Sequence, residues 1–196
     1  MLFELKGTRI VLYDAIRSKN FIPTNKQLLR NYVKEYSKFQ QMTIATSREC
    51  KTSYENMFTK DMNFDFIEIP PNMREMDVFS EILSASLDYE YVLIHPLNNP
   101  HVSKLIIAIF TDLILDHTAV VIRENNIINP WYGIYDVAKV LNRLDFETYA
   151  NLNEFLENLE KTLVLSDSAF RQLDRMKNAF KKIRSRDQIK RAEKWV

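Results

Sequence analysis

Short and almost continuously apolar runs recur along the chain, and each gap between them is long enough for a helix. The runs are MTIATS (42–47), FDFIEI (64–69), YVLIHP (91–96) and TAVVIR (118–123), all rich in β-branched and aromatic residues. Such runs are typical of strands that are covered on both faces. The gaps carry apolar residues at helical spacing, in stripes at Leu28, Leu29, Tyr32, Val33 and Tyr36, at Phe79, Ile82, Leu83 and Leu87, and at Leu105, Ile106, Ile109, Phe110 and Leu113. This alternation predicts an α/β fold with a three-layer, mostly parallel, Rossmann-like sheet.

The chain after residue 136 is predicted to be helical. One stripe holds Val137, Val140, Leu141 and Leu144, and the capping-box pattern NLNE (151–154) predicts a helix that runs through Leu163. SDSAF (166–170) and SRDQ (185–188) indicate two further helix starts. We therefore expect a single domain over 1–196, with a helical insertion at 145–180 and a C-terminal helix at 181–196.

Composition excludes several classes of protein. Cys50 is the one cysteine in the chain, so neither an intrachain disulfide nor a thiol-rich metal site can form. No apolar run approaches the roughly 20 residues that span a bilayer, and the N-terminal residues lack a secretory signal. A cytoplasmic location without membrane contact is expected.

A net charge of +1 conceals a basic segment near the C-terminus. Residues 171–194 hold ten lysines and arginines and three acidic residues, so the rest of the chain is acidic. A basic segment of this kind could bind nucleic acid or another anion. A solvated helix face is the more common cause of such a charge run, and we favour it.

The two glycines of the chain fall in segments where ligands are expected. Open α/β sheets bind ligands beyond the carboxyl ends of their strands. On the predicted strands these segments are 6–20, 47–53, 70–76, 95–103 and 123–133. Gly7 lies in the first segment and Gly133 in the last.

The first segment carries a recognisable pattern, KGTRI (6–10) followed by KNFI (19–22). It resembles the opening loop of nucleotidyltransferases of the molybdenum-cofactor guanylyltransferase type and of their archaeal relatives that guanylylate adenosylcobinamide phosphate. The resemblance implies a nucleotide-diphospho-sugar transferase (GT-A-like) fold and an NTP, with GTP favoured, bound by Lys6, Gly7, Thr8, Arg9 and Lys19. Arg9 and Lys19 would be the catalytic residues because they neutralise phosphate charge. Glu4 and Leu5 stand where the family has two glycines.

A second match covers YVLIHPLNNPHVSKLI (91–106). Asn98-Asn99-Pro100 occupies the place of the family's Asp-x-Pro motif, whose aspartate binds Mg²⁺. Asn98 keeps a ligand oxygen and loses the charge, so the resemblance implies a weak metal site there. His95 and His101 lack a third ligand in the sequence, and we interpret them as loop histidines rather than metal ligands.

Two further stretches follow in the family's order. In AVVIRENNIINPWYGIYD (119–136), Pro130, Gly133 and Tyr135 match the family, and Trp131, Tyr132 and Gly133 would lie on the acceptor side. The rings of Trp131 and Tyr132 could stack on a substrate ring, although core packing or an oligomer contact explains these aromatic residues equally well. FKKIRSRDQIKRAEKW (180–195) resembles the closing helix of the family.

Three functions stay open at this point. The first is an NTP-dependent nucleotidyltransferase with weakened motifs, which would use a phosphorylated small-molecule acceptor and Mg²⁺. The second is a catalytically inactive homologue that serves as a regulatory or assembly subunit, for instance as a homo-oligomer. The third is a nucleic-acid-binding protein that uses the basic 171–194 helix.

Overall fold

The computed structural model describes residues 7–15, 36, 41–56, 64–99, 104–144 and 148–173. Within them the chain forms a seven-stranded sheet of strands β1 Thr8–Tyr13, β2 Gln41–Thr46, β3 Asp65–Glu68, β4 Tyr91–Pro96, β5 Ala119–Glu124, β6 Ile127–Asp136 and β7 Thr162–Ser166. The strand order is β3-β2-β1-β4-β6-β5-β7. Only β6 runs against its neighbours, so the predicted mostly parallel sheet is confirmed.

Six described helices cover the sheet: α1 Arg48–Glu55, α2 Glu75–Ser84, α3 Lys104–Leu113, α4 Val137–Leu141, α5 Leu152–Asn158 and α6 Asp167–Leu173. A short 3₁₀ helix, Ile114–Asp116, follows α3. Side chains of α1, α3 and α6 join one hydrophobic core, and side chains of α2, α4 and α5 join another. The sheet lies between these two cores, which gives the three layers expected from the sequence.

Strands β2 to β5 coincide with the four apolar runs to within one residue at each end. Every residue of β1 and of β4 is buried, as expected for strands covered on both faces. Helices α2 and α3 lie where apolar stripes predicted them, but α2 ends at Ser84, Leu87 beyond it is 65% exposed and Leu105 of the α3 stripe is 43% exposed.

The prediction of an all-helical C-terminal part is wrong. The capping box exists, because the Asn151 side chain accepts from the Glu154 amide at 3.0 Å and Glu154 accepts from the Ala150 amide at 2.8 Å. The helix nevertheless ends at Asn158, and Lys161 turns the chain in a left-handed conformation with φ of 58°. Residues 162–166 then form β7, which pairs in parallel with β5 at the edge of the sheet.

Three segments that we expected to be loops contain regular structure. Residues 8–13 of the 6–20 segment form β1. Residues 48–53 belong to α1, whose N-cap Ser47 accepts from the Cys50 amide at 3.4 Å. Most of 123–133 belongs to a β5–β6 hairpin, whose turn residues Asn125 and Asn126 have positive φ of 50° and 66°. Asparagine tolerates this conformation, which two-residue hairpin turns require. The predicted helix at 28–35, the closing stretch at 180–195 and nearly all of the basic segment lie outside the described residues.

Gly133 is required by close packing against β5. A methyl group at this position would lie 2.8 Å from the Val120 carbonyl oxygen and 2.9 Å from Val121 Cγ1. A side chain therefore cannot be added without moving backbone, and overpacking of this kind costs about 1–3 kcal/mol.

We predict that Gly133→Ala lowers the free energy of unfolding by about 1–3 kcal/mol in chemical denaturation. An unchanged free energy of unfolding in Gly133→Ala would contradict the close approach at Gly133.

Candidate functional site

The carboxyl ends of four neighbouring parallel strands form one edge of the sheet, which we call the carboxyl edge. One hydrogen bond there continues each of the three strand pairings beyond the strand ends. The Asp14 amide donates to Ala45 O at 2.9 Å, the Leu97 amide to Tyr13 O at 2.8 Å and the Ile69 amide to Thr46 O at 2.8 Å. These contacts bring the residues after β1 beside the turn that follows β4. The edge is where an open α/β sheet binds ligands.

Gly7, Thr8 and Arg9 lie at the opposite end of β1, which we call the amino edge. Gly7 O accepts from the Glu90 amide at 3.0 Å and from the Tyr91 amide at 3.2 Å, which starts the pairing with β4. Five residues of strand, about 16 Å, separate Arg9 from Asp14. The structure therefore does not bring these residues together with Asn98. Lys6 and Lys19 lie outside the described residues.

Arg9 is a buried structural side chain in this arrangement. It is 7% exposed and donates to Thr43 Oγ1 at 2.8 Å and to the Ala85 carbonyl oxygen. Its guanidinium also lies 5.4 Å from the centre of the Tyr89 ring and 3.9 Å from Asp65. A phosphate-binding role for Arg9 stays a prediction, and this position does not favour it.

Asp14 is the polar residue that actually follows β1, and the sequence analysis missed it. It is 7% exposed, and its Oδ2 accepts from Thr46 Oγ1 at 2.9 Å and from Tyr54 OH at 3.2 Å. Burial of a carboxylate is costly without such donors. The available signal was an acidic residue placed directly after a run of buried strand residues.

The turn after β4 carries Asn98. Asn99 closes this turn by donating its amide to Pro96 O at 2.9 Å, and Asn98 is half-buried between them. His95, which we expected in a loop, is instead a fully buried residue of β4. Its Nδ1 lies 2.8 Å from Tyr36 OH, and its Nε2 lies 3.0 Å from Asn99 O. His101 and Pro100 are not among the described residues.

Trp131, Tyr132 and Gly133 belong to an irregularity of β6 rather than to a loop. Val121 pairs with Gly133 and Ile122 with Asn129, so residues 130–132 form a bulge in the pairing of β5 with β6. Tyr135 OH holds this bulge by donating to Pro130 O at 2.5 Å.

The aromatic rings of the bulge are packed in the two cores. Trp131 is 8% exposed, and its ring centre lies 4.1 Å from that of Tyr13 and 6.1 Å from that of Phe79. Tyr132 is 2% exposed and lies 4.7 Å from the His95 ring. These contacts favour the core interpretation of both rings, while Gly133 gives close strand packing.

A cleft of about 320 Å³ opens at the first residues of α2 and α5. It is lined by Arg74, Glu75, Met76, Tyr149 and 150–152. Glu75 also lies 3.5 Å from the indole nitrogen of Trp131, which connects the cleft to the bulge. A small polar acceptor could enter here.

The described residues do not make a magnesium site. No group of three or more His, Cys, Asp or Glu side chains among them could hold a metal ion. Asn98 offers a single neutral oxygen, and Mg²⁺ prefers carboxylate and phosphate oxygens. No helix in the described ranges is long and apolar enough to cross a membrane.

The stability role of Arg9 is tested by Arg9→Met, which keeps the apolar stem and removes the donors. We expect a loss of about 1–3 kcal/mol in the free energy of unfolding, because buried acceptors lose their partners. The control is Arg143→Met, since the Arg143–Glu160 pair is largely exposed and should cost less than about 0.5 kcal/mol. A weaker nucleotide affinity at unchanged stability would instead support the phosphate-binding role.

Burial raises the pKa of Tyr135 well above its usual value near 10. The unfolded chain releases the phenol proton at a lower pH than the folded chain does. The contribution of the protonated phenol to the free energy of unfolding is therefore complete below pH of about 10. It is lost as pH rises further, by up to about 1.4 kcal/mol per pH unit. Tyr135→Phe should therefore cost about 1 kcal/mol at pH 7 and flatten the decline above pH of about 10. Denaturation series at several pH values test this, and equal slopes for both proteins would contradict a buried neutral phenol.

Comparisons with known proteins agree with the geometry at the level of the fold. Neither protein families nor curated proteins show a sequence match. A solved structure of molybdopterin-guanine dinucleotide biosynthesis protein A from Archaeoglobus fulgidus has a TM-score of 0.66 at 15% identity, covering 95% of this chain and 97% of that one. For 4-diphosphocytidyl-2C-methyl-D-erythritol synthase from Anaerococcus prevotii the TM-score is 0.68 at 11% identity, covering 97% and 96%.

A third similar structure, from Mycobacterium tuberculosis, was solved in complex with manganese. Its TM-score is 0.57 at 12% identity, covering 82% of this chain and 88% of that one. These likenesses cover most of each chain, although the sequence identities are low. The chain therefore shares the α/β fold of these structures.

Proposed function

We propose that the chain binds a nucleotide at the carboxyl edge and is a nucleotidyltransferase-like protein with weakened or lost transfer activity. The observation that supports this most directly is the hydrogen bond from the Leu97 amide to Tyr13 O at 2.8 Å. It places the Asn98 turn beside the start of the segment that follows β1. Of the residues that the family resemblance assigns to the nucleotide, Lys19 belongs to the segment after β1, and the resemblance assigns the metal to Asn98.

The similar structures support the same ligand class. One is named for a guanine dinucleotide and another for a diphosphocytidyl product, so both handle nucleotides. GTP remains the favoured nucleotide for this chain because the sequence resemblance is to guanylyltransferases. Lys19, which follows β1 in sequence, is the proposed phosphate-binding and catalytic lysine.

The proposed reaction is attack by a phosphorylated small molecule on the α-phosphorus of the nucleotide. The acceptor oxygen would form a bond to that phosphorus, and the bond to the bridging oxygen would break to release pyrophosphate. A lysine ammonium would stabilise the charge that develops on the leaving oxygens. The cleft beside Glu75 is the proposed place for the acceptor. We derive no step through a metal.

Two features support weakened transfer. Asn98 supplies no negative charge for a cation that would bridge phosphate oxygens. Asp14 adds a buried carboxylate at the end of β1, where a triphosphate would have to approach. An inactive homologue with a regulatory or assembly role is therefore the second candidate. The nucleic-acid, homo-oligomer and cytoplasmic assignments stay predictions.

Nucleotide binding is tested by calorimetry with GTP, CTP and ATP at millimolar concentration. We expect heat of binding with GTP at least, and a roughly tenfold or larger loss of affinity in Lys19→Ala because a charged hydrogen bond is removed. Lys190→Ala, in the basic segment far along the sequence, is the matched control and should keep the GTP affinity of the unmodified protein. Absence of heat with all three nucleotides would reject the proposal.

Asn98→Asp separates a weakened enzyme from an inactive homologue. If the site is otherwise competent, the added carboxylate should increase Mg²⁺-dependent pyrophosphate release or tighten binding in Mg²⁺. We expect it to change neither, because Glu4 and Leu5 replace the two glycines with which the family lets a triphosphate approach the backbone. Robust Mg²⁺-dependent pyrophosphate release by the unmodified protein would show that the expectation of inactivity is wrong.

A further inference from the structure

One buried imidazole contacts three separate segments of the chain. His95 is fully buried near the carboxyl end of β4, and it lies opposite Leu12 of β1 in the strand register. Around its ring are Tyr36, from the segment between β1 and β2, the Asn99 carbonyl of the Asn98 turn, and Tyr132 of the β6 bulge. His95 thus joins the Asn98 turn to Tyr36 and to the β6 bulge.

The two hydrogen bonds determine the tautomer of His95. A backbone carbonyl can only accept, so Nε2 must carry the hydrogen that it donates to Asn99 O over 3.0 Å. In the tautomer that carries its hydrogen on Nε2, Nδ1 is an acceptor. Tyr36 OH then donates to Nδ1 over 2.8 Å. The direction of donation therefore runs from Tyr36 through His95 to the Asn98 turn.

The ring contacts add a constraint on the third segment. The Tyr36 ring meets His95 edge-on at 5.9 Å between centres, and the Tyr132 ring lies at 4.7 Å. Tyr132 also meets the Phe110 ring at 5.9 Å, which connects the bulge to α3. A change in the position of the imidazole would therefore move the bulge as well as the turn.

We propose that His95 is a positioning residue that holds the Asn98 turn in its ligand-ready arrangement and couples it to the segment after β1 and to the β6 bulge. This inference rests on the proposed function for its effect on ligand binding. Its structural content, a neutral Nε2–H imidazole joining three segments, can be read in the ligand-free protein.

The ligand-free test uses ¹⁵N-labelled imidazole spectra, which distinguish the protonated ring nitrogen from the acceptor nitrogen. The chain has three histidines, so His95 is assigned by the signal that disappears on its substitution. We expect the neutral Nε2–H tautomer, and we expect Tyr36→Phe to shift the Nδ1 signal. An Nδ1–H tautomer, or no response to Tyr36→Phe, would overturn the proposal whether or not any nucleotide binds.

Two amide substitutions then separate positioning from simple packing. In His95→Gln the side-chain amide can still donate to Asn99 O, whereas in His95→Asn it is too short to reach that carbonyl. Asparagine is also one buried methylene smaller, which alone costs about 0.8 kcal/mol of stability. Stability is therefore measured for both variants, and affinity is measured where both are fully folded, so that a purely structural role would give no difference in affinity. We expect His95→Asn to weaken GTP binding about tenfold and His95→Gln less than about threefold.

His117 supplies the matched control. Like His95, it has one ring nitrogen close to a backbone carbonyl, because its Nδ1 lies 2.7 Å from Leu113 O. His117 lies at the amino edge, however, away from the Asn98 turn. His117→Asn should leave GTP affinity unchanged. Equal loss of affinity in His95→Asn and His95→Gln would overturn the positioning role. Absence of GTP binding by the unmodified protein would reject the proposed function, and the imidazole spectra would still decide the structural part.

Discussion

The structure depends on the pairing of β1 with β4, two central strands whose residues are buried along their full length. A strand with no exposed face requires apolar cover on both sides and hydrogen-bonding neighbours on both edges. The two cores meet the first requirement, and β2 and β6 meet the second. The outer strands β3, β5 and β7 then complete a sheet around this pair. Helix positions follow from the need to cover it.

The same pairing separates the two edges of the sheet chemically. At the amino edge Arg9 and Gly7 form hydrogen bonds with the first residues of neighbouring strands and with the loop before β4. At the carboxyl edge the buried strands give way to polar side chains, namely Asp14, Thr46 and the asparagines after β4. Hydrogen bonds that extend the strands by one residue fix the spacing of those side chains. The carboxyl edge therefore offers a ligand more polar contacts than the amino edge does.

Sequence patterns were sufficient for the central strands and their helices, since continuous burial leaves a clear apolar run. They were insufficient for β7, because Leu159 and Leu163 continue the helical spacing and the break is made by the backbone at Lys161. The phosphate-loop assignment placed Gly7 and Arg9 at the carboxyl edge. RIVLY is instead part of β1, and the length of this strand puts Gly7 and Arg9 at the amino edge. Asp14 was missed and His95 was interpreted as a loop histidine, because Thr46 and Tyr36, which bond to them, come from distant parts of the chain.

The bulge at 130–132 divides β6 into two halves that keep separate registers with β5. Pairing on either side depends on Asn129 and Gly133, so residues could be added or removed between them without slipping either half. In an unbroken strand the same change would turn every later side chain to the other face. The bulge is therefore a position at which evolution, or a designer, can alter the carboxyl edge without shifting either half of β6, provided that Trp131 and Tyr132 keep their places in the two cores.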